Sequence, residues 1–168
     1  MSVSRNQGNK IGLLSDFVAV PYVFGANTIL DHLNTSYYHV HGESFTYPDK
    51  AASVTLTSGS GAWNTGGSIT EVIPANALST SAFDLHWIDI SSISANSEFV
   101  IDIYSGGAGS EVLIGSVPGV RNAVQSQEGS KRIQIPQQLV NTRISCKLSD
   151  STGGTITAAV KFMGHYYA

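Results

Sequence analysis

The sequence predicts an all-β protein, a jelly-roll-like antiparallel sandwich preceded by an extended N-terminal arm. Three observations carry that expectation. Apolar residues recur at a spacing of two in many short segments, which sets them on one face of a pleated strand. Clusters of Gly, Pro, Asn and Ser separate those segments at short intervals, as turns require. Charged residues fill only 12% of the 168 positions, about half the usual share. Ser, Thr, Gly and Asn take their place, as in turn-rich β proteins and in subunits whose surface is covered by neighbours.

Residues 1–36 read as an arm or docking segment, and 37–168 as the sandwich. Met1 to Lys10 is polar. Ile11, Leu13, Leu14, Phe17, Val18, Tyr22 and Phe24 then form an apolar stretch that follows no single period. Two arrangements fit it. Either it supplies a first strand and a loop that closes the core, or it packs on a partner, which makes these seven residues partner-binding. A helical turn over 28–33, capped by Asn27, is compatible with either.

Tyr37 to Gly42 reads as a short aromatic strand, followed by Ser53 to Thr57. Two glycine-containing turns, at 58–61 and 64–67, flank Trp63. Ser68 to Ile73 is a strand stopped by Pro74. The central pair follows. Phe83, Leu85 and Trp87 alternate with Asp84 and His86, and Phe99, Ile101 and Ile103 alternate with Val100, Asp102 and Tyr104. These two strands are the expected centre of a buried sheet, with Trp87 in the core and Asp84 and Asp102 facing away from it. Gly106 to Gly109 is a hairpin turn. Glu111 to Val117 is closed by Pro118-Gly119, and 120–129 is a long polar loop. Lys131 to Ile135 is ended by Pro136, and Thr142 to Leu148 precedes a turn at 150–154. Thr155 to Tyr167 is the last strand, with Ile156, Ala158, Val160, Phe162 and Tyr166 on one face. Eight or nine short strands in this spacing fit a sandwich of two Greek keys.

The formal net charge is −3 and the densest basic pair is Lys131-Arg132, so a phosphate-binding groove for nucleic acid is not expected. No apolar run reaches membrane-spanning length, and the N-terminus lacks a signal-peptide pattern. The single cysteine, Cys146, forms no internal disulfide. It shares parity with Ile144 and Leu148, so it reads as a small buried hydrophobe and not as a catalytic thiol. His39 and His41 have the same-face spacing of a metal pair, and His32, His86 or His165 could supply a third ligand. No cysteine pair or nearby carboxylate motif supports them, so no metal or other cofactor is expected. The glycine runs lack the Lys-Ser/Thr of a phosphate loop, and no nucleophile elbow is present. No enzyme is expected. Trp63, in its glycine-flanked loop, is the best placed aromatic residue for stacking on a glycan.

Several segments together resemble a family of small tailed-bacteriophage and prophage virion proteins. They are Tyr37 to Gly42, Glu71 to Ala75, Phe83 to Trp87, Gly109 to Gly115, Arg121 to Gly129 and Gly164 to Tyr167. The resemblance covers most of the chain beyond about residue 35 and brings no catalytic residues. It implies a virion structural protein made in the host cytoplasm: a capsid decoration, head-fibre, collar or tail component, commonly trimeric, attached to capsid or tail proteins. The alternative is a carbohydrate-binding module used on a host-surface glycan during adsorption.

Overall fold

Nine strands account for the regular structure in a computed structural model that describes residues 41–49, 51–63 and 67–167. They are β1 (His41–Tyr47), β2 (Val54–Thr57), β3 (Thr70–Ile73), β4 (Phe83–Ile93), β5 (Ser97–Ser105), β6 (Val112–Arg121), β7 (Gly129–Gln138), β8 (Ile144–Asp150) and β9 (Thr157–Tyr167). The arm, its seven apolar side chains, the helical turn at 28–33 and His39 lie outside the described residues. The first described strand runs through Gly42 to Tyr47, where the aromatic pattern predicts an end at Gly42. Among the described residues no helix is long and apolar enough to cross a membrane.

Every strand pairing is antiparallel. Tyr47 pairs with Phe162 and Val54 with Val160, so β1 and β2 lie end to end along the same edge of β9. They share one strand position. The two sheets then read β1/β2–β9–β4–β7 and β3–β8–β5–β6. That order is the two-Greek-key arrangement of a jelly roll. β4 and β5 are central, as the alternation predicts, but each in its own sheet: the chain crosses the sandwich between Ile93 and Ser97.

The core is the filling between the two sheets. β4 supplies Phe83, Leu85, Ile88, Ile90 and Ile93, and β9 supplies Ala158, Val160 and Phe162. The facing sheet supplies Phe99, Ile101 and Ile103 from β5 and Ile144, Cys146 and Leu148 from β8. β5 and β8 keep strict alternation. β4 does not. Leu85 pairs with Gly164 but Trp87 with Met163, and Ile90 pairs with Val160 but Ser92 with Ala159. Each bulge adds one residue and reverses the parity that follows. The inward set therefore runs 83, 85, then 88, 90, then 93. Trp87 falls on the outer face, 37% exposed, and not in the core.

Two prolines read as strand ends lie within strands. β6 continues through Pro118, which is paired with Val100, to Arg121. β7 continues through Pro136, which sits where the register between Leu85–Ile135 and Phe83–Gln138 slips by one. Both are edge strands, where a residue without an N–H donor is tolerated. Prolines there, with Lys131 and Arg132 on β7, also discourage another chain from adding to the sheet. The loop read over 120–129 contracts to a short turn. The N–H groups of Val124 and Gln125 donate to Asn122 Oδ1 (2.9 and 2.7 Å), and Ile93 N–H donates to Glu128 Oε1 (2.9 Å).

Cys146 is fully buried in β8, as its parity predicts. Burial pushes its thiol far up from the ordinary range, and the nearby Asp102 carboxylate adds to this. A thiol held protonated and inaccessible does not react. Ellman's reagent should therefore leave the folded protein unlabelled at pH 8 and label one thiol per chain in denaturant. Rapid labelling of the native protein would contradict this packing.

Candidate functional site

The only group of three or more metal-ligating side chains close enough to act together, among the described residues, is Asp84, His86 and His165. Register builds it. Asp84 stands directly across from His165 in the β4–β9 ladder. Asp84 alternates with Phe83 and Leu85, so it points out of the sandwich. The bulge after Leu85 then leaves His86 and Trp87, two consecutive residues, on that same outer face. Their rings lie 5.4 Å apart, and the His86 and His165 rings meet edge to face at 4.7 Å. Trp87 leans on His165 at 6.3 Å.

Asp84 faces away from the core, as its parity predicts, yet it is buried. His86 Nε2 lies 2.9 Å from Asp84 Oδ2 and His165 Nδ1 lies 3.9 Å from Oδ1. The Tyr167 hydroxyl donates to Oδ2 (2.9 Å), and the backbone N–H of His165 donates to Oδ1 (3.3 Å). Burial, then the hydrogen bond to Asp84 and its negative charge, push the Tyr167 hydroxyl up to about 12. Tyr167 is therefore a fixed donor that orients the carboxylate. Chemically, the cluster is a carboxylate with two imidazoles converging on it from two strands.

A second feature lies at the end of the sandwich formed by the β5–β6 turn and the β7–β8 loop. Val112, Leu113, Leu139 and Val140 are exposed there, Leu139 to 77% and Val112 to 62%. Strand register places Val112 across from Ser105 and Ser105 across from Ile144, so these side chains share one end of the fold. Arg143 holds that end together. Its Nε lies 2.7 Å from Glu71 Oε2, and its Nη1 lies 2.9 Å from Glu111 Oε1 and 3.3 Å from the Gly106 carbonyl. The Glu111 carboxyl is held below the usual carboxylate range by its own backbone N–H and by Arg143.

No protein-family model matches the chain, and no curated protein matches it.

The residues singled out in the sequence fare unequally. His41 opens β1, its backbone paired with Tyr167. Trp63 is exposed, in a left-handed conformation (φ 54°), with its N–H donated to the Asp150 carbonyl at 2.8 Å. His86 and His165, considered only as additions to the His39–His41 pair, come together with Asp84. The one local signal for this is the Asp84-x-His86 spacing, since alternate residues of a strand share a face. Asp102 does face outward, accepting a hydrogen bond from Ser116 Oγ (2.6 Å), and Asp89 pairs with Lys161 (3.7 Å).

Proposed function

We propose that this chain is a non-enzymatic structural protein of a tailed-phage particle, a self-associating jelly-roll subunit that attaches to capsid or tail. Residues 1–36 are its docking segment and the sandwich is its rigid body. The exposed apolar end made by Val112, Leu113, Leu139 and Val140 is the observation that carries this reading. Scattered exposed apolar residues need no explanation, but several at one braced end mark a contact surface. The blunted edges of β6 and β7 favour association through an end or a face over addition of strands. A stable contact of this kind needs roughly 1,000 Å² or more of buried surface. The resemblance of the sequence to small virion proteins gives the reading its particle, and that resemblance also implies a trimer.

Light scattering on the purified full chain should return the mass of a trimer at micromolar concentration. A clean monomer would sink self-association. Particles assembled with a chain lacking 1–33 should lose the subunit while the shortened protein keeps its β-sheet circular dichroism. Undiminished attachment of that shortened chain would overturn the docking role of the segment.

A further inference from the structure

We propose that Asp84, His86 and His165 bind one divalent first-row transition-metal ion per chain, of which Zn²⁺ is the natural probe. One ligand atom from each lies within 4.8 Å of the others. Around a tetrahedral zinc with bonds of about 2.0–2.1 Å, donors sit roughly 3.3 Å apart. The separation of 2.9 Å between His86 Nε2 and Asp84 Oδ2 is close to that spacing, and the full set, within 4.8 Å, closes to it with side-chain shifts of up to about 1.5 Å. Two imidazole nitrogens and one carboxylate oxygen suit zinc, cobalt or nickel and not the all-oxygen preference of magnesium or calcium.

The surroundings favour a cation as well. Asp84 is oriented by the Tyr167 hydroxyl and by the backbone N–H of His165, and such second partners commonly hold a ligating group in place. The ion pairs of Asp84 are with the two histidines, and the Lys161 ammonium on the same face is engaged by Asp89. His86 is carried by β4 and His165 by β9, so the metal would pin two neighbouring strands of the central ladder. Among the described residues three ligands converge, and a tetrahedral ion keeps a fourth position for water or for a further group.

Trp87 is a built-in reporter, its ring packed against both histidines. With untagged full-length protein, Co²⁺ should quench Trp87 fluorescence and give visible d–d absorption that saturates at one equivalent. Zn²⁺ should compete it away, and calorimetry should give a Zn²⁺ Kd in the micromolar range or tighter. His86→Ala and His165→Ala should each weaken Zn²⁺ at least tenfold, while His39→Ala/His41→Ala should not. Trp87→Phe should remove the quenching but keep the absorption, a readout that leaves all three ligands intact. Zn²⁺ should also raise the wild-type Tm, because only the folded chain holds the site together. Substoichiometric binding, binding that survives His86→Ala/His165→Ala, or binding lost in His39→Ala/His41→Ala would each overturn the assignment.

Discussion

Gly164→Ala is expected to destabilise the sandwich by roughly 3 kcal/mol or more, the upper end of the penalty for overfilling a packed core. Gly164 lies in β9, between Leu85 of β4 and Phe45 of β1. A methyl group there would overlap the Asp84 carbonyl oxygen and come within 2.9 Å of Phe45 Cζ. The missing side chain is the slot in which the Phe45 ring lies, edge-on to Phe83 at 5.9 Å and against Tyr166 at 4.9 Å. A flexible side chain could move aside, but a backbone carbonyl within a ladder cannot do so without loss of pairing. Against a total stability of about 5–15 kcal/mol this is a large fraction. Urea melts of wild type and variant measure it directly. A difference under about 1 kcal/mol would mean that β1 and β4 do not flank Gly164 as described.

Asp150→Ala should cost about 3 kcal/mol, since it removes the shared charged acceptor of three hydrogen bonds at once. The carboxylate sits at the end of β8, fully buried. Its Oδ1 accepts from the Thr152 N–H (2.8 Å), the Thr152 hydroxyl (2.7 Å) and the Gly153 N–H (2.9 Å). Burial alone would raise its pKa, but the bonds from Ser58, Thr152 and Gly153 outweigh it and hold the carboxyl below the ordinary value. A folded-state pKa below the unfolded one gives stability that is complete above about pH 4 and lost as the pH falls through the folded value. Asp150→Asn, which cannot titrate, should therefore flatten the acid limb of the stability–pH curve below about pH 4. Equal acid limbs for wild type and Asp150→Asn would remove this carboxylate from the account.

Fold class was legible because most strands keep one parity. Phe99, Ile101 and Ile103 are all buried, as are Ile144, Cys146 and Leu148, and nothing beyond alternation was needed to place them. Trp87 was misread because parity survives only until a bulge, and no glycine or proline marks the one after Leu85. Pro118 and Pro136 looked like stops because a missing donor is costly inside a sheet. That they sit on edges is a property of the finished topology. The candidate site was hidden for the same reason: Asp84 and His165 are cross-strand partners 81 residues apart. The Asp84-x-His86 spacing was visible, yet its third member follows from knowing that the last strand pairs with β4.

β9 is the strand against which β1, β2 and β4 all align. Three of the five strands in that sheet therefore wait for a neighbour that the ribosome makes after all the others. Until it emerges, Phe83, Leu85 and Ile88 have no complete layer to enter, and a nascent chain must carry that greasy surface exposed. Pairings this distant in sequence also make for slow closure, so the window in which a chaperone, or a sister chain, can capture the unfinished sheet is long.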